Sequence, residues 1–160
     1  MNVRPECGSG ECHPDHLVPG DPHLCATSRD CMVSRMAIVA LDHVQVSITP
    51  GGEDAARRFY GEVLGMPEVP KPATLAGRGG VWFACGAQQL HCGVEEQVAP
   101  SRRHPALRTD DLEALRARLT AAGFPIRTDA ELPGYRRFYT EDPFGNRVEC
   151  LEKIEDPVPA

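Results

Sequence analysis

Three histidines and one glutamate carry the chemistry this chain is equipped for: His43, His91, His104 and Glu149. Neutral imidazole with carboxylate is a ligand set for one divalent metal ion, with Zn, Ni, Fe, Mn and Co all admissible. Such a set leaves coordination positions open, which suits catalysis because a substrate or water can enter them. His43, His104 and Glu149 form the expected core of the set. His91 is either a fourth ligand or a general base beside a three-ligand metal, because an imidazole titrates near neutrality.

The spacing of these four residues follows an internal repeat. From His43 to Pro67 is 24 residues and from His104 to Pro125 is 21, and each proline closes a Gly-x-Pro, Gly65-Met66-Pro67 and Gly123-Phe124-Pro125. From Pro67 to His91 and from Pro125 to Glu149 the separation is 24 in both cases. A single three-residue difference, assigned to the Pro50-Gly51-Gly52 loop, brings the halves into register. It pairs His43 with His104 and His91 with Glu149.

The elements that must position these residues occur in the same order twice. Residues 40–49 read as a strand and 53–64 as a helix, with Ala56, Phe59, Tyr60, Val63 and Leu64 on one apolar face and Gly65 as its stop. Residues 104–109 read as the corresponding strand. Asp110 or Asp111 is the N-cap of a second helix, Leu112, Leu115 and Leu119 are its buried stripe, and Gly123 closes it. Further strand-like runs cover 80–85, 88–94, 136–140 and 147–152, the last two joined by the turn signal Asp142-Pro143-Phe144-Gly145-Asn146.

Strand alternation places His43, Gln45 and Ser47 on one face, opposite Val44, Val46 and Ile48. Gln89 and His91 likewise oppose Leu90, Cys92 and Val94, and Glu149 opposes Val148 and Cys150. The apolar faces back the helices, so Cys92 and Cys150 point away from the polar set. An unpaired carboxylate inside a sheet costs on the order of several kcal/mol, so Glu149 requires a partner. The expected fold is α+β. Two βαβββ-type repeats, 37–97 and 101–154, form a curved, mixed, mostly antiparallel sheet with the helices outside.

Bulk properties bound what surrounds this site. The 160 residues, 41% hydrophobic and 25% charged, suit one globular domain, placed at 36–155. A formal charge of −6 argues against a nucleic-acid partner or an anionic membrane face. No apolar run approaches the roughly 20 residues of a membrane helix. The first residues lack the continuous apolar core of a secretory signal, so the expected location is cytoplasmic. Residues 1–35 hold four of the seven cysteines, Cys7, Cys12, Cys25 and Cys31, beside His13, His16 and His23. Their spacings are wider than the tight pairs of zinc modules, and the stretch lacks apolar periodicity, so it reads as a disordered extension. Translation starting at Met32 or Met36 is the other reading. Residues 156–160 form a short tail.

The order Leu41-Asp42-His43-Val44, Ala56-Arg57-Arg58-Phe59-Tyr60, Val63-Leu64-Gly65, Asp110-Asp111-Leu112 and Glu141-Asp142-Pro143-Phe144-Gly145-Asn146-Arg147-Val148-Glu149 resembles the vicinal oxygen chelate superfamily. That superfamily comprises glyoxalase I, fosfomycin-resistance transferases, bleomycin-resistance proteins, methylmalonyl-coenzyme A epimerases and extradiol dioxygenases. The resemblance spans about residues 37–154. It implies paired βαβββ units, a homodimer, and metal ligands on the first and last strand of each half, at His43, His91, His104 and Glu149. Glyoxalase I enzymes commonly use all four places. Fosfomycin transferases and dioxygenases use the three that correspond to His43, His104 and Glu149.

The resemblance implies a metal-dependent lyase or isomerase of glyoxalase type acting on a small molecule. Its metal would chelate two vicinal oxygens and stabilise an enediolate, with Glu149 or His91 moving the proton. Gln45 is a candidate substrate contact; it stands where fosfomycin transferases generally carry a hydroxyl residue, and no potassium-binding loop is evident, two departures from that branch. Arg108 and Arg147 share faces with His104 and Glu149 and are candidates for an acidic substrate group, against the plainer reading of rim charges. The alternatives are a non-catalytic antibiotic-binding resistance protein that stacks a planar ligand on Trp82, Phe83 or Tyr139, a single-domain dioxygenase, and a thiol transferase.

Overall fold

The computed structural model describes residues 38–154, so the expectations for 1–35 and 156–160 lie outside the described residues. Each apolar alternation becomes a strand with one face for packing. The first half runs β1 (His43–Ile48), α1 (Glu53–Ala56), β2 (Glu68–Val69), β3 (Val81–Cys85) and β4 (Gln88–Val94). The second runs β5 (Ala106–Arg108), α2 (Leu112–Ala121), β6 (Tyr135–Glu141) and β7 (Arg147–Lys153). Hydrogen bonding groups the strands into two sheets, ordered β1-β4-β3-β2 and β5-β7-β6. In each sheet the first strand of the repeat runs parallel to the last, and the remaining pairs are antiparallel. The class is α+β, as the repeat predicts.

Strand register reproduces the counted register. Gln45 lies opposite His91 across β1 and β4, and Ala106 lies opposite Glu149 across β5 and β7. Two residues before Gln45 and Ala106 stand His43 and His104. One departure concerns His104 itself, which precedes β5 by two residues instead of lying on it. Pro105 has no N–H to donate, but its carbonyl accepts from Glu149 N at 3.0 Å and carries the ladder to His104.

Helix formation also differs between the halves. Asp111 caps α2 by accepting from Ala114 N at 2.9 Å, and Leu112, Leu115 and Leu119 bury as the stripe predicts. The first helix is α-helical only over Glu53–Ala56 and continues as π-helical turns over Arg57–Val63, where the adjacent rings of Phe59 and Tyr60 are both fully buried. Leu64 N donates to Phe59 O at 2.9 Å, five residues back, in the widened pattern. The counterpart of β2 in the second half shrinks to a single bridge between Arg127 and Tyr139. The core gathers Ile48, Phe59, Tyr60, Phe83, Leu90, Leu112, Leu119, Phe138 and Val148 from both halves.

The turn Asp142–Asn146 fastens the halves together. Asp142 accepts from Phe144 N at 2.9 Å, Asn146 N at 2.8 Å and Asn146 Nδ2 at 2.7 Å, which closes the turn. It also accepts from Tyr60 OH, on the first helix, at 2.8 Å. Asn146 Nδ2 donates in addition to Ser47 O of β1 at 2.7 Å. Phe144 lies over Gly52, where a Cβ would collide with its ring.

Candidate functional site

The polar face of the first sheet builds one donor pair. His43 on β1 and His91 on β4 stack with ring centroids 4.1 Å apart and planes 18° from parallel. Trp82, directly across from His91 on β3, stacks on it at 3.8 Å and 3°. His91 is 7% exposed, and its Nε2 lies 2.9 Å from Gln89 Oε1. Burial lowers its pKa first and the neighbouring His43 second, since both oppose a charged ring. His43 has a half-exposed side chain, and its Nδ1 lies 2.8 Å from Asp42 Oδ1. Gln45 projects from the same face, with its amide over Gly93. A Cβ on that glycine would stand 2.6 Å from the amide, so the missing side chain is what admits Gln45.

The second sheet builds the other pair. His104 Nε2 lies 3.1 Å from Glu149 Oε2, while His104 Nδ1 is held by Arg102 O at 2.7 Å. Contacts at both ring nitrogens fix the His104 ring and turn Nε2 toward the carboxylate. Glu149 is 6% exposed, and its other oxygen accepts from Arg137 Nη1 at 2.8 Å. Burial works to raise the Glu149 pKa, yet hydrogen bonds from Arg137 and His104 outweigh it and hold the carboxyl below its usual range. Glu149 therefore has the partner its buried position requires.

Arg137 was not singled out by sequence reasoning. Its signal lies in the hairpin register: Tyr139 pairs with Glu149 across β6 and β7, so Arg137, two residues from Tyr139, shares the face of the glutamate. Arg137 also bonds Tyr139 OH at 2.6 Å and Ala130 O at 2.7 Å. Of the two arginines expected at the site, Arg147 lies over the Tyr139 ring at 3.7 Å and pairs with Asp129 at 3.2 Å. It shares a cavity of about 470 Å³ with Gln45 and His104. Arg108 stands elsewhere, in a surface depression with Arg136 and Glu152. Of the three candidate stacking platforms, Trp82 and Tyr139 lie on the site faces and Phe83 is fully buried in the core.

Chemically the donors suit a divalent metal: imidazoles with oriented rings and a carboxylate kept ionised by its neighbours. They are arranged as two pairs on two sheets. Among the described residues of one chain, no three His, Cys, Asp or Glu side chains converge closely enough to hold an ion. Cys92 and Cys150 are fully buried on the opposite faces, as alternation predicts. Burial, and then the negative charge of Asp142 or Glu149, pushes both thiols up to about 12. Neither is a thiolate at neutral pH. Peptide mapping after alkylation of the native protein at about pH 8 should therefore find both cysteines unmodified, and unfolding should make both react.

A family model for the glyoxalase/bleomycin resistance protein/dioxygenase superfamily matches residues 40–150. The chain belongs to that superfamily. Among solved structures, a glyoxalase family protein of Bacillus anthracis is 45% identical, with a TM-score of 0.71 over 75% of this chain and 99% of its own. A lactoylglutathione lyase of Agrobacterium tumefaciens is 26% identical, with a TM-score of 0.55 over 71% of this chain and 92% of its own. An antibiotic binding protein of Streptomyces sp. CB03234 shares the fold at 23% identity, with a TM-score of 0.57 over 74% of this chain and 99% of its own. No curated protein matches the chain. Superfamily membership accounts for the paired repeats. Among the described residues no helix is long and apolar enough to cross a membrane.

Proposed function

We propose that the protein is a metal-dependent lyase or isomerase of glyoxalase type, acting on a small molecule with two adjacent oxygens. The observation that carries this reading is the register, which sets His43 beside His91 and His104 beside Glu149 at equivalent places in two repeats. Each pair supplies two donors, so a complete set requires both. Because one chain keeps the pairs on separate sheets, we assign the working form to a homodimer in which each site takes one pair from each copy. The lactoylglutathione lyase at 26% identity supports the same class of chemistry.

In this reading His43, His91, His104 and Glu149 would hold one divalent ion, which would supply Lewis acidity to a substrate with two neighbouring oxygens. Glu149 would take the proton from the carbon bearing the hydroxyl oxygen and return it to the neighbouring carbon, with His91 as the alternative carrier. Arg137 holds Glu149 in place while it does so. Arg147, beside His104 and Gln45 in the shared cavity, receives an acidic substrate group. Free Cys85, Cys92 and Cys150 suit a reducing compartment such as the cytoplasm.

The test is solvent exchange. Metal-reconstituted protein in deuterium oxide is mixed with small hydroxy-aldehydes, 2-oxo acids and their thiol adducts, and carbon-bound protons are followed by NMR. Catalytic, metal-dependent exchange on one class supports the reading. The separation of the donor pairs within one chain favours one competitor, a metal-free binder. Saturation at one ligand per chain with no exchange and no retained metal would establish that competitor instead.

A further inference from the structure

We infer that Trp82 and Gln89 are positioning residues that fix both the ring plane and the tautomer of His91, leaving Nδ1 as its working nitrogen. The inference deepens the metal-site reading and rests on it only for what Nδ1 is used for. The His91 ring is held on three sides. Trp82 covers one face at 3.8 Å and 3°, His43 stacks on it at 4.1 Å and 18°, and Gln89 Oε1 lies 2.9 Å from Nε2.

These contacts follow from the strands. Trp82 is the direct cross-strand neighbour of His91, Gln89 precedes it by two on the same face of β4, and His43 pairs with Gln89 across β1. Flat stacking over an indole resists rotation of the ring about χ2, which is otherwise a soft torsion. An amide oxygen can only accept, so Nε2 must carry the proton and Nδ1 the lone pair. His43 is held the opposite way, through Nδ1, by Asp42 Oδ1, while His104 is contacted at both nitrogens, by Arg102 O and Glu149 Oε2. His91 thus presents a different nitrogen from His43. Two relayed positions, Trp82 through stacking and Gln89 through the hydrogen bond, decide which one.

The experiment is long-range ¹H–¹⁵N correlation NMR of the histidine rings in the full chain at about pH 8, above the usual imidazole range. A His91→Asn variant assigns the signal. The expected result is the Nε2–H tautomer in the parent protein. In Gln89→Ala, which alters a half-buried side chain outside the apolar core, the two ¹⁵N shifts should collapse toward those of exchanging tautomers. Trp82→Phe should preserve the parent pattern and Trp82→Ala should broaden it, which separates stacking from simple bulk. An Nδ1–H tautomer in the parent, or shifts unchanged in both Gln89→Ala and Trp82→Ala, would overturn the inference. Zinc is then added. Movement of the Nδ1 resonance, with a change in the fluorescence of Trp82, the chain's single tryptophan, ties the nitrogen to the metal. If the tautomer is as assigned and zinc leaves Nδ1 unmoved, the positioning role stands and the metal reading fails.

Discussion

Glu149→Gln should leave the purified protein without its metal. The substitution keeps shape and one acceptor oxygen for Arg137 but removes the only carboxylate in the donor set. Outer-shell changes alone typically cost about 10–100-fold in metal affinity, so loss of the charged ligand should cost at least about 100-fold. Elemental mass spectrometry on parent, Glu149→Gln and His43→Ala proteins reads this without a known substrate. Under the proposed shared site, which draws on both pairs, His43→Ala should fail as Glu149→Gln does. Mixing the two variants should restore part of the metal if copies exchange, since one combination of chains then has a complete set. Retention of metal in both variants would dismantle the assignment. The metal-free protein offers a second readout. The folded pKa of Glu149 is lowered, so its contribution to stability is present above the unfolded pKa and is lost as pH falls through the folded one. Glu149→Gln should remove that acid-side slope.

The second large effect is expected far from the donors. Asp142→Ala should destabilise the domain by about 1–3 kcal/mol for each donor left unpaired, as measured by chemical denaturation, because it strips the acceptor from Tyr60 OH and the turn amides in a buried setting. Tyr60→Phe, which removes one donor and leaves the carboxylate its other partners, should cost about 1 kcal/mol. The pH dependence runs opposite to that of Glu149. Burial raises the pKa of Asp142, and the bonds from Asn146 and Tyr60 offset this only in part. A raised folded pKa gives stability that is full below the unfolded pKa and declines as pH rises through the folded one. The deficit of Asp142→Ala should therefore be widest in acid and narrow toward neutrality. A deficit that grows with pH would mean the carboxylate form is the favoured one.

These expectations show what pattern reading can and cannot reach. The repeat register was legible because backbone periodicity fixes spacing, and the pairing of Gln45 with His91 and Ala106 with Glu149 reproduces it. The Asp111 cap and the Leu112, Leu115 and Leu119 stripe were legible for the same reason. The π-helical turns were not, since Ala56, Phe59 and Tyr60 fit an ordinary apolar face equally well. Neither was Arg137, whose contact with Glu149 depends on which residues of β6 and β7 face one another. The assignment of one donor pair to each half was legible from the repeat; the separation of the pairs in space was not. Counting residues tells which positions are equivalent and says nothing of how far apart the two copies stand.

The shrunken counterpart of β2 has a further consequence for how this protein changes over generations. With only the Arg127–Tyr139 bridge left of that strand, the segment after it is not bound to a sheet ladder. Instead it reaches the arginines through Asp129 and the Ala130 carbonyl, which touch Arg147 and Arg137. Mutations there can retune the charge beside Glu149 while leaving both sheets and the Asp142 clip intact. The second half is therefore the place where selection can alter the charge around Glu149 at little risk to folding, while the intact strand of the first half keeps the scaffold constant.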